Sequence, residues 1–146
     1  MCIRDRYKDW GLHCRASEAE SGKFCRLFQR LVIEDSKQVA LEVLVKPPVS
    51  GQAAEVVMLL PLGIFLPADL ILKVDDTDQV AVEFERCYPD GCVARFPLSD
   101  EMRNRFQKGN VAEVRVRDDP AREVVLKISL AGFTAAYRAL LEASES

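Results

Sequence analysis

The sequence predicts an all-β fold: one β-sandwich of about eight short strands, a short helix near 100–108 and a second helix at the C-terminal end. Three observations carry this reading. Apolar and polar residues alternate with period two in one short stretch after another, as in strands buried on one face. Residues Val56 to Pro67 (Val-Val-Met-Leu-Leu-Pro-Leu-Gly-Ile-Phe-Leu-Pro) form the most apolar stretch of the chain, the natural centre of a sheet. A helical period of about 3.6 residues enters only in the last segment. At 146 residues the chain suits a single domain, large enough to bury roughly two thirds of its unfolded surface.

Met1 to Arg6 (Met-Cys-Ile-Arg-Asp-Arg) has no apolar core segment and no cleavage motif of an export signal. It reads as an extraneous or truncated head, with the domain running over 7–146. Tyr7 to Cys14 is short, aromatic and broken by glycine, a segment for a sheet edge anchored by Trp10. Cys25, Leu27, Leu31 and Ile33 share one parity and Arg26, Arg30 and Glu34 the other; Val39, Leu41, Val43 and Val45 repeat the pattern until Pro47-Pro48.

Within the apolar stretch, about a dozen residues with two prolines are too short for a membrane span of roughly twenty and cannot form one helix. Val56 to Leu60 is therefore a buried interior strand, ended at Pro61 and turned at Gly63. Leu70 to Val74, Val80 to Phe84 and Cys92 to Leu98 continue the alternation. Ser99 caps a helix from Asp100 to Lys108, with Gly109 just past its end. Ala112 to Arg117 and Glu123 to Leu130 are strands separated by a turn at Asp118-Asp119-Pro120. Phe133, Ala136, Tyr137, Leu140 and Leu141 then fall on one face of a helix that follows Gly132.

The net charge of −3 gives no long-range attraction to nucleic acid or anionic lipid. Cys2 stands apart, while Cys14 with Cys25 and Cys87 with Cys92 make two local sets, either disulfides or metal ligands. Spacings of ten and four intervening residues, with one histidine in the chain, fit zinc poorly and disulfides better. Disulfides imply an oxidising compartment.

Cys87-Tyr88-Pro89-Asp90-Gly91-Cys92 reads as a hairpin whose turn uses Pro89 and Gly91, with the cysteines opposed across it. A redox role would call for two intervening residues where this stretch has four. His13 has no nucleophile or acidic partner marked out in sequence and reads as a partly exposed histidine. Asp75, Asp76 and Asp78 lack the glycine and distal glutamate of a calcium loop and read as a solvated turn. Arg115, Arg117, Arg122 and Lys127 read as the wet side of a sheet, with a partner-binding patch as the second reading.

Four motifs occur in order: Trp10 with Cys14 and then Cys25; Leu60-Pro-Leu-Gly-Ile-Phe-Leu-Pro67; Cys87 through Gly91-Cys92-Val-Ala94; and Ser129-Leu-Ala-Gly-Phe-Thr-Ala-Ala136. Together they resemble the invasion-associated locus B family, over Tyr7 to about Leu141. The resemblance implies an immunoglobulin-like β-sandwich exported to the bacterial periplasm or surface, with no known catalytic centre. It assigns structural roles: Cys14, Cys25, Cys87 and Cys92 as staples, Pro61, Gly63 and Pro67 to the turn, Gly132 and Phe133 to docking the last helix.

The expected function is that of a non-enzymatic envelope protein without cofactor or metal, periplasmic or secreted. It would act through contacts with an envelope or host protein, with no nucleic acid and no membrane span. The second expectation is a small periplasmic thiol redox protein using Cys87 and Cys92; a third is a metal-binding module.

Overall fold

The computed structural model describes residues 2–16, 23–33, 38–49 and 51–145. In chain order these form β1 (Cys2–Tyr7), β2 (Trp10–Ala16), β3 (Lys23–Ile33), β4 (Gln38–Lys46), β5 (Glu55–Leu60), β6 (Leu70–Val74), β7 (Val80–Val82), β8 (Phe84–Tyr88), β9 (Gly91–Pro97), α1 (Asp100–Lys108), β10 (Val111–Asp119), β11 (Arg122–Ser129) and α2 (Phe133–Glu145). One sheet has seven strands in the order β1-β2-β3-β4-β5-β9-β8; the other has four, β11-β10-β6-β7. Pairing is antiparallel throughout, so neighbours need only hairpins or one return across the sandwich.

The alternation read from sequence sets the two inner faces. Leu27, Leu41, Val43, Val56 and Met58 of the large sheet share one buried core with Leu70, Leu72, Ala112, Val114 and Ile128 of the small one. β5 lies between β4 and β9, an interior strand as its apolar sequence predicts. The smaller sheet leaves part of the larger one uncovered, and α2 fills that space over β1, β2 and β3, with α1 against α2. Ser99 caps α1 by accepting a hydrogen bond from the Met102 amide at 3.2 Å, and Met102 and Phe106 point into the core.

The structure differs from expectation in several places. Eleven strands replace about eight among the described residues. Residues 2–6 of the expected head form β1 together with Tyr7 and pair along β2, so Trp10 and its strand stand one place in from the edge. β1 is too short and too polar to show alternation, and only pairing reveals it. The run from Val80 to Phe84 divides at Glu83, where the chain crosses from the small sheet to the large. The last hairpin turns at Pro120-Ala121, because Asp118 and Asp119 belong to β10.

The apolar stretch is buried only in part. Pro61 cannot donate to the ladder, and beyond it Leu62 is 58% and Leu66 46% exposed. Gly63, at φ 100°, makes the turn, and a single backbone bond from the Phe65 amide to the Arg117 carbonyl ties the loop to β10. Gly109 is extended (φ −82°), not left-handed; glycine there supplies room, since a Cβ would press on Val74 and the Arg105 carbonyl.

Candidate functional site

Both cysteine pairs are joined, each between residues directly opposite on adjacent strands. Cys14 on β2 faces Cys25 on β3 with Cα atoms 4.1 Å apart, and Cys87 on β8 faces Cys92 on β9 at 3.9 Å. Cys25 and Cys92 are buried and Cys87 is exposed. Gly91 closes the second hairpin at φ 150°, and a Cβ there would lie 2.3 Å from the Leu60 carbonyl oxygen of the next strand. Only glycine admits that approach.

A second constellation joins the last strand to the first ones. The Trp10 indole N–H donates to the Ser129 carbonyl at 3.0 Å. The Gln29 side-chain amide donates to the same carbonyl at 2.9 Å and accepts from the Ser129 amide at 3.0 Å, pairing as a peptide group would. Gly132 then turns at φ 88°, so tight against β1 that a Cβ would lie 2.0 Å from the Tyr7 carbonyl oxygen. Phe133 follows, fully buried, with ring centroids 5.4 Å from Trp10, 5.3 Å from Phe106 and 5.7 Å from Tyr137. Trp10 and the consecutive Gly132 and Phe133, more than a hundred residues away, thus make one clasp. Gln29 was missed from sequence, although its signal was present: a polar residue at the core parity between Leu27 and Leu31.

A cleft of about 610 Å³ lies on the outer face of the large sheet. His13 and Arg15 of β2, Phe24 and Arg26 of β3, Lys46 of β4 and Glu55 of β5 line it, and Pro47, Pro48 and Val49 form one wall. Phe24 is 55% and Val49 60% exposed. Glu55, opposite Lys46 in register, turns to Arg95 at 3.2 Å. Arg15, Arg26 and Lys46 have no carboxylate partner among the described residues, whereas Arg30, Arg95, Arg103, Arg105, Arg115, Arg117 and Arg122 each hold one within 4.0 Å.

His13 is not partly exposed as expected but 7% exposed, with the Phe28 ring edge-on at a centroid distance of 6.3 Å. Burial first, then the positive charges of Arg26 and Arg15, hold its pKa below the ordinary 6.5. It is a neutral imidazole at pH 7. The unfolded chain binds a proton near pH 6.5 that the folded chain refuses, so this contribution to stability is fully present above that pH and is lost as pH falls below it. Unfolding midpoints in urea should therefore decline between pH 7.5 and 5.5, and His13→Gln should flatten that decline. An unchanged slope in the variant would assign it to other groups.

Most of the remaining candidates have structural partners. Asp75, at φ 47°, accepts from the backbone amides of Asn110 and Val111 at 2.9 and 3.1 Å, pinning the β6–β7 turn to β10. The arginines of the last hairpin are matched with acids: Arg115 with Glu113 and Glu123, Arg117 with Glu123, and Arg122 with Asp118; Lys127 has no carboxylate within 4.0 Å among the described residues. With Cys14, Cys25, Cys87 and Cys92 in disulfides, none of these four is a thiolate that could ligate zinc. Among the described residues no cluster of three or more metal-ligating side chains occurs. No helix there is long and apolar enough to cross a membrane.

Fold and site together define a disulfide-stapled β-sandwich with a clasped C-terminal helix and an outer-face groove. The sequence profile described as Invasion associated locus B (IalB) protein matches residues 10–141. The chain therefore belongs to the invasion-associated locus B family. It is 29% identical over 137 residues to the invasion protein B homologs of two Brucella abortus strains, covering 92% of this chain and 76% of each relative. Its fold is similar to the crystal structure of invasion associated protein B from Bartonella henselae, with a TM-score of 0.80, 21% identity and 94% of each chain covered. That likeness speaks to the fold alone.

Proposed function

We propose that this chain is a non-enzymatic protein of the bacterial envelope, exported to the periplasm or cell surface, that works by contact with other proteins. The observation that carries this reading is the pair of register-opposed disulfides, since such bonds persist in oxidising compartments and are rare in the cytosol. The names of the Brucella relatives extend it towards host-cell interaction, with envelope integrity as the alternative setting. Fractionation of the native bacterium, with thiol labelling before and after reduction, tests the compartment. Four thiols of the protein released only by reductant in the envelope fraction is the expected result. Four free thiols in the cytosolic fraction would end the proposal. Cross-linking in intact cells tests the contact role; a protein recovered only uncross-linked would count against it.

A second reading, a thiol redox protein, is favoured by one feature: Cys87 is exposed at a hairpin tip while its partner Cys92 is buried. The reduction potential of that pair decides. Passive staples lie below about −300 mV and oxidoreductases between roughly −270 and −120 mV. We expect the former.

A further inference from the structure

We infer that the groove across β2 to β5 is a docking site for an extended acidic peptide segment that carries an aliphatic or aromatic side chain. This rests on the reading of the chain as a contact protein and names the surface and the partner chemistry. Charge comes first. In a molecule of net charge −3, Arg15, Arg26 and Lys46 gather around one cleft without a carboxylate partner among the described residues. Glu55, the acid within reach, is held by Arg95 at 3.2 Å. Arg6, Arg86 and Arg138 also lack a carboxylate partner among the described residues, but they do not share one cleft, whereas three such cations gathered in one groove fit a negatively charged occupant.

Shape selects which anion. The three cations stand on three successive strands, about 4.8 Å apart per strand. One phosphate or carboxylate cannot span that row. Carboxylates at positions i and i+2 of an extended chain lie about 6.6 Å apart on one side and can reach neighbouring members of it. The cleft crosses four strands, about 14 Å, which is the length of roughly four extended residues. Its walls are apolar where a peptide side chain would rest, at Phe24, Val49, Pro47 and Pro48. A bilayer surface is too flat to enter a concave cleft, and a nucleic acid would meet the overall negative charge with only three cations to hold it.

The test is fluorescence anisotropy with a fluorescein-labelled octapeptide, Gly-Glu-Leu-Glu-Phe-Glu-Gly-Ser, beside its counterpart with glutamine at every glutamate. The full chain with both disulfides intact is used. The acidic peptide should bind at least about tenfold more tightly than the glutamine peptide, with affinity falling as salt is raised. The double variant Arg26→Glu, Lys46→Glu should lose about tenfold or more, and Phe24→Ala about threefold or more. Equal binding of the two peptides, or no binding of the acidic one up to about millimolar concentration, overturns the inference. The peptide comparison uses the native chain, so it stands even where a variant folds poorly. Full displacement by 10 mM inorganic phosphate would reassign the groove to simple anions. Tighter binding of phosphatidylglycerol vesicles through the same residues would reassign it to membrane. Either result overturns the peptide proposal. Failure here leaves the cross-linking test of the contact role untouched, so the two readings fall separately.

Discussion

Replacing Phe133 by alanine is expected to remove about 3–5 kcal/mol of stability, the range for truncating a buried phenylalanine. The upper half of that range is favoured because Trp10, Phe106 and Tyr137 sit around the ring on separate turns and layers. None can move into the void without leaving its own element. The loss corresponds to a fall of about 6–20 °C in Tm for a domain of this size. It takes a large share of the 5–15 kcal/mol typical of a folded domain. Phe133→Leu keeps apolar volume and gives up ring pairing at about 0.5–1.5 kcal/mol per pair, so it should fall between. Trp10 is the only tryptophan and packs directly on Phe133, which makes its fluorescence a local reporter. An alanine variant within about 1 kcal/mol of the native chain, with unshifted Trp10 emission, would show that the clasp does not hold α2.

The second large effect concerns the staples. Removing Cys14 and Cys25 together as alanines is expected to cost about 3 kcal/mol, and removing Cys87 and Cys92 about 2 kcal/mol. A longer closed loop restricts the unfolded chain more, and the sequence separations are 11 and 5. Packing widens the gap, since Cys25 and Cys14 both join the main core, whereas Cys92, though buried, lies outside it and Cys87 is exposed. Urea unfolding of both double variants measures the order. A greater loss from the Cys87 and Cys92 pair would refute the loop-entropy account for this fold.

Much of this architecture was legible before any coordinates. Alternation at Leu41, Val43 and Val45, or at Ala112, Val114 and Val116, names the buried face, because side chains in a strand point to opposite sides with period two. The cysteines were readable as pairs from spacing. Ser99 and its acidic followers marked α1, and Gly132 with Phe133 marked the start of α2. β1, the crossing at Glu83 and the exposed half of the apolar loop were not legible. Each depends on which strand or layer lies alongside, and local composition is silent about that.

By itself, then, the sequence determined the buried parity of the alternating strands, the starts of both helices and which cysteines stand near each other, since these follow from local period and turn chemistry. Tertiary structure alone decided that Gln29 would pair with Ser129, and that Arg15, Arg26 and Lys46 would meet on one face beside a Glu55 already held by Arg95. Those relations depend on strand register, and a one-residue slip would send every such side chain to the opposite face.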